Sequence, residues 1–357
     1  MKKIIYLLVL STALFSCKNN CDEKNSLTSK NASKESVIDT ADLTNNFYDN
    51  VETYQLNTTE VEIAGEISNP AKVDFSTLEK HSVIVKEALL DSVGNNKFIG
   101  AYCYDGYSLM DILNNSVLAK KNLEEFPPII DLYVEIENAK GEKVVFTWGE
   151  IYYPNNLHRI IIATDVARIV PSKTNELWDL PTDCKIVSGN DLLTERNISN
   201  PTKITVKSYS KSFPTEKGMS PMYSADFNIF DADDVLKPNP YFSRNFKIYD
   251  YEAIFYGRGR GIHSTTPFTG IMLKDLLSEY FEFNSQNLKT GLFCAVAKDG
   301  YRVVFSFSEI FNRNDQQEIL VTKSEIDEDG GLFRIFPACD FFSDRAVKSL
   351  TEIYFAE

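Results

Sequence analysis

Short runs of alternating apolar and polar residues dominate this chain. "EVEIAGEI" (60–67) alternates and leads to Asn69-Pro70, which predicts a strand and a turn. "KVVFTW" (143–148) and "RVVFSF" (302–307) are β-branched and aromatic, so they predict strands. The preceding "AKGE" (139–142) and "AKDG" (297–300) read as hairpin turns. "SLMDILNNSV" (108–117) and "MLKDLLSEYF" (272–281) place apolar residues at helical spacing. "DFSTLEKH" (74–81) reads as a short helical turn. "TWGEI" (147–151) and "SFSEI" (306–310) open short helices, with Thr147 or Ser308 as the cap. "TKITVKSY" (202–209) and "TEIYFAE" (351–357) read as closing strands.

The pattern occurs twice. "GEKVVFTW" (141–148) and "GYRVVFSF" (300–307) lie 159 residues apart, and each leads into Glu-Ile. Upstream, "GYSLMDIL" (106–113) faces "GIMLKDLL" (270–277). Downstream, residues 185–206 and 334–355 align without a gap. There Asp191 faces Asp340, Arg196 faces Arg345 and Ile204 faces Ile353. Three blocks in one order describe a tandem duplication with a period about one domain long. Antiparallel strands mixed with short helices predict an α+β fold of two tandem domains, residues 51–209 and 210–357. The composition, 43% hydrophobic and 12% aromatic, supplies enough apolar material for both.

The first 50 residues differ. Lys2 and Lys3 precede a short apolar stretch, Ile4 to Leu10, and then Leu14-Phe15-Ser16-Cys17. This resembles a bacterial lipobox within a secretory signal (1–17), which implies that Cys17 becomes a lipidated N-terminus. Residues 18–50, rich in Asn, Ser, Lys and Glu, predict a flexible tether. Asp22 and Glu23 resemble the acidic residues of a surface-export signal. The expected location is the cell envelope, on the outer membrane or the periplasmic face, or at the cell surface. A net charge of −14 leaves no basic stripe for nucleic acid. Cys103, Cys184, Cys294 and Cys339 read as buried thiols with no Cys-x-x-Cys pair.

The ordered blocks resemble the oxidoreductase molybdopterin-binding domain family, which has the fold of the sulfite oxidase catalytic core. The matching pieces are Gly65 to Pro70, Gly106 to Leu113, Gly270 to Leu277, Asp299 to Glu309 and Arg345 to Ile353. The resemblance implies a molybdenum cofactor held by one Cys thiolate at a strand end, with Arg and His on the pterin phosphate. The corresponding stretches, 81–98 and 245–261, hold no Cys. Cys103 is the nearest candidate metal ligand, a weak one, and no cofactor is expected.

"YGRGRGIHSTTPF" (256–268) is the most unusual local feature. Gly257, Gly259 and Gly261 alternate with Arg258 and Arg260, and His263 follows. Glycines expose backbone N–H groups, and guanidinium forks bind carboxylate or phosphate, so these six residues are the candidate anion site. His81, His158 and His263 are scattered, so no His-rich metal site is expected. "DADD" (231–234) and "IDEDGG" (326–331) read as solvated acidic loops rather than calcium ligands. The expected function is a non-catalytic, lipid-anchored protein that binds a small anionic ligand or a protein partner. The alternatives are a divergent molybdopterin-dependent oxidoreductase and a protein-interaction module.

Overall fold

The computed structural model describes residues 52–171, 173–324 and 330–356. Cys17, Cys21, Asp22, Glu23, the tether and most of "IDEDGG" lie outside them. The first half runs β1 (Thr53–Gln55), β2 (Glu62–Gly65), β3 (Ala71–Lys72), β4 (Lys80–Leu90), β5 (Asn96–Ser108), α1 (Leu109–Asn114), β6 (Leu132–Asn138), β7 (Lys143–Thr147), α2 (Trp148–Tyr152), β8 (Ile160–Arg168), β9 (Lys185–Ser188) and β10 (Pro201–Ser208). The second half runs β11 (Asn228–Asp231), β12 (Asp234–Pro238), β13 (Tyr249–Tyr251), β14 (Phe255–Gly257), β15 (Gly261–Ser264), β16 (Phe268–Met272), α3 (Leu273–Leu277), α4 (Ser285–Thr290), β17 (Leu292–Ala297), β18 (Arg302–Ser306), α5 (Phe307–Phe311), β19 (Ile319–Lys323), β20 (Phe333–Pro337) and β21 (Leu350–Ala356).

Among the described residues the structure is mainly β, with 43% in strands against 12% in helices. Four sheets of four or five strands stand in a propeller-like arrangement, and the β14–β15 hairpin forms a fifth, two-stranded sheet. This corrects the α+β expectation of two tandem domains. The helices are one or two turns long, too short to form a layer of their own. The described residues also belong to one compact unit. The boundary near Lys211 falls in the link from β10 to β11.

The duplication is nevertheless visible in the topology. One sheet of the first half has the order β3-β2-β10-β6-β7, and one of the second has β12-β11-β21-β17-β18. In each, the first long strand lies parallel to the last, β2 beside β10 and β11 beside β21. In the remaining sheets β4-β5-β8-β9 corresponds to β13-β16-β19-β20, with β1 added on β8. Close packing fixes the equivalence. A Cβ on Gly106 would stand 2.1 Å from the Ile162 carbonyl oxygen, and one on Gly270 would stand 2.4 Å from that of Val321.

Local chemistry explains the short helices. Ser108 caps α1 by accepting from the Asp111 N–H at 3.0 Å. Thr147 caps α2 by accepting from the Glu150 N–H, and Ser306 caps α5 by accepting from the Glu309 N–H. Ser306 therefore takes the role expected of Ser308, whose hydroxyl instead donates to the Leu288 carbonyl at 2.8 Å.

These caps also cross between the halves. The Thr147 hydroxyl donates to Glu309 Oε2 at 3.0 Å, and the Ser306 hydroxyl donates to Glu150 Oε2 at 2.8 Å. Arg196 forks onto Asp191 at 2.6 and 2.8 Å and reaches Glu150 at 2.6 Å. Arg345 forks onto Asp340 at 2.6 and 2.7 Å and reaches Glu309 at 2.6 Å. Each guanidinium lies over the aromatic ring of its own VVF strand, Arg196 over Phe146 and Arg345 over Phe305. A Cβ on Gly149 would stand 2.3 Å from Arg345 Nη1, so the glycine admits that side chain.

Apolar packing follows the same plan. One core cluster joins Phe126, Ile130, Tyr153 and Leu193 to Phe293, Phe305 and Ile353. Another joins Val145 and Tyr209 to Leu292, Cys294 and Val304. Arg302, fully buried, reaches back to Glu125 at 2.8 Å and Asp131 at 3.4 Å.

A cut near Lys211 is therefore expected to give pieces that fold together and not separately, read by circular dichroism of each piece and of the mixture. Arg196→Met or Arg345→Met leaves buried carboxylates without their cation and is expected to cost about 3–5 kcal/mol. The loss should appear as one cooperative transition in denaturant unfolding.

The central group holds four carboxylates against two guanidiniums. Burial, together with the nearby Glu309 and Asp191, pushes Glu150 up from 4.5 to about 7, although Arg196 opposes the shift. A carboxyl whose folded pKa is raised binds its proton more tightly in the folded state. Its stabilisation is complete below about 4.5 and is lost as the pH rises through about 7. The slope of stability against pH in that window should flatten in Glu150→Gln.

Candidate functional sites

A cleft of about 680 Å³ opens in the second half between the segment around β13–β14 and the chain after β20. Its walls carry six aromatics, Tyr251, Phe255, Tyr256, Phe336, Phe341 and Phe342. Asn155, Gln316 and Gln317 supply amides, and Asp250 and Glu252 supply carboxylates. The Phe336 ring is held by stacking on Phe268 at 3.9 Å. Asp340 also reaches the cleft, but its carboxylate is spent on Arg345. Burial pushes the neighbouring Cys339 thiol up, as does the Asp340 carboxylate, so this sulfur stays protonated.

A smaller groove of about 320 Å³ shares Phe342 with the cleft and crosses to the first half. Trp148, Tyr152 and Tyr153 line it together with Arg258. Trp148 and Tyr152 stack at 4.8 Å.

The glycine–arginine stretch forms the β14–β15 hairpin, with residues 258–260 in its turn. Gly261 has a φ of +75°, the conformation that favours glycine. Gly257 admits the His263 ring, because a Cβ there would stand 2.2 Å from Nε2. Gly259 has open space around it. Arg258 is 61% exposed, 3.7 Å from Asp344 Oδ1, and it alone of the candidate cations lines the groove. Arg260 and His263 are exposed, and the His263 ring lies 5.5 Å from Phe255. The six residues are thus together on one hairpin, with a single guanidinium turned to a concave surface.

Cys103 sits in the middle of β5, between Ile84 of β4 and Ala167 of β8. The resemblance places the molybdenum thiolate at a strand end, so this residue does not fit that role. Among the acidic loops, Asp233 of "DADD" is paired with Lys211.

Two histidines expected to stand apart come together. His81 on β4 and His158, in the loop before β8, converge on Asp111 of α1. His81 Nε2 lies 2.8 Å and His158 Nδ1 lies 3.3 Å from the same oxygen, Asp111 Oδ2. The two rings stack at 4.1 Å with an angle of 7°. The Ser108 hydroxyl donates to Asp111 Oδ2 at 2.7 Å and lies 3.0 Å from His158 Nδ1. Burial alone would raise the Asp111 carboxyl, but the Ser108 hydroxyl and the two imidazoles hold it below its ordinary value. No local motif announces this group. The Ser108–Asp111 spacing of a helix cap is its one sequence signal.

No protein-family model matches the chain, and a search of curated proteins found no match.

Because Arg258 and Arg260 are on an exposed turn, replacing both with Ala is expected to change thermal stability by no more than about 0.5 kcal/mol. A larger loss in a melting experiment would make them structural ion-pair partners.

Proposed function

We propose that this chain is a lipid-anchored binding protein of the bacterial cell envelope, non-catalytic, which takes its ligand beside the β14–β15 hairpin. The observation that carries this reading is the 680 Å³ cleft, a volume suited to a small molecule. Flat aromatic walls offer dispersion and cation–π contacts, and the amides and carboxylates at the rim offer directional hydrogen bonds. This lining favours a ligand with an apolar face and hydroxyl or ammonium groups. An anionic group on the same ligand would be met by Arg258 across Phe342, in the smaller groove. The lipobox-like sequence at Cys17 supports the anchor.

A second reading is a protein partner on the same surface. Ile254, Ile262, Phe341 and Tyr256 are exposed large apolar residues around this hairpin, and such patches mark contact surfaces.

Cys17→Ala is expected to move the protein from the membrane fraction to the soluble fraction, as removal of the acyl anchor requires. Thermal-shift screening of sugars, organic ammonium ions and carboxylates should then find a stabilising class. Asp250→Ala and Phe341→Ala should weaken that class about tenfold or more, since a charge-assisted hydrogen bond is worth about 1.5–3 kcal/mol. Loss confined to Arg258→Ala would move the site to the groove. No shift with any class, together with capture of an envelope protein that the Phe341→Ala variant fails to capture, would favour the partner reading.

A further inference from the structure

We propose that His81, Asp111 and His158 form a binding site for a divalent first-row transition cation, with zinc as the type. Two imidazole nitrogens and one carboxylate oxygen are the donor set that such cations take, and their ligand atoms all lie within 4.8 Å of one another. Both nitrogens already face a single oxygen, Asp111 Oδ2, at 2.8 and 3.3 Å. A cation entering there replaces the N–H···O contacts with N–metal bonds, each neutral imidazole then carrying its one proton on the other ring nitrogen and any second proton passing to solvent. The three side chains are about a quarter to a third exposed, which leaves an entry path and room for a water as further ligand. Ser108, fully buried, holds that same oxygen, Asp111 Oδ2, through its hydroxyl at 2.7 Å. Such supporting hydrogen bonds orient metal ligands.

An internal comparison with the second half separates this group from ordinary packing. Register places Tyr249 opposite Gly270 as His81 is opposite Gly106. The repeat alignment puts Asp275 at Asp111, Met272 at Ser108 and Gln317 at His158. The same sheet order is built there without either imidazole, so the fold does not call for them.

The test uses the full chain, stripped with chelator and titrated with Zn²⁺ against a chromophoric competitor. One equivalent should bind, and Co²⁺ in its place should give a visible d–d spectrum. His81→Gln with His158→Gln should abolish that equivalent, His263→Gln should retain it, and Ser108→Ala should weaken it about 10–100-fold. Unchanged binding in the double variant, or loss in His263→Gln, overturns the proposal. Should the double variant misfold, the wild type still decides. Zn²⁺ should protect His81 and His158, and not His263, from diethyl pyrocarbonate, read by peptide mass spectrometry. Equal labelling with and without Zn²⁺ overturns it.

Discussion

The molecule is arranged around two buried ion-pair centres, one in each half, that are joined by hydrogen bonds exchanged between the halves. Arg196 pairs with Asp191 and Glu150, and Arg345 pairs with Asp340 and Glu309. The hydroxyl that caps α2 or α5 completes the glutamate of the other half. A buried carboxylate without such partners costs several kcal/mol, so neither half can satisfy its own centre alone. The backbone obeys the same exchange. Pro154 bridges to Asp340, and Asp191 bridges to Arg313. Asn312 closes the contact by donating to the Leu193 carbonyl and accepting from the Leu193 N–H.

Away from this centre the halves are free to differ. The first carries the long β4–β5 hairpin, of 11 and 13 residues, and with it His81. The second has a three-residue β13 in the equivalent place and adds the β14–β15 hairpin. The histidine pair and the aromatic cleft therefore lie on opposite versions of one segment. The shared strands supply rigidity, and the unshared ones supply chemistry.

Much of the local structure was legible in the sequence. The VVF strands, the Gly-turn helices and the closing strands stand where periodicity places them, because strand alternation and capping residues act within a few positions. The sheet count was not legible. Pairing of β2 with β10 joins residues from opposite ends of a half, and no local pattern encodes it. The α+β expectation gave single-turn helices the weight of a layer. The convergence of His81 and His158 was hidden for a related reason. It depends on β5 lying between β4 and β8, which carries distant stretches to one end of a sheet.

The crossed caps have a further implication for how such a chain is organised. Thr147 touching Glu309 while Ser306 touches Glu150 is the contact pattern of an isologous interface, in which each partner offers the same patch to the other. In a homodimer every substitution at the surface is made twice, and both active faces must change in step. Fusion into one polypeptide removes that bond of symmetry while keeping the interface, and it makes the association independent of concentration. One end of the pair can then acquire imidazoles while the other acquires an aromatic cleft, and neither change is imposed on its twin.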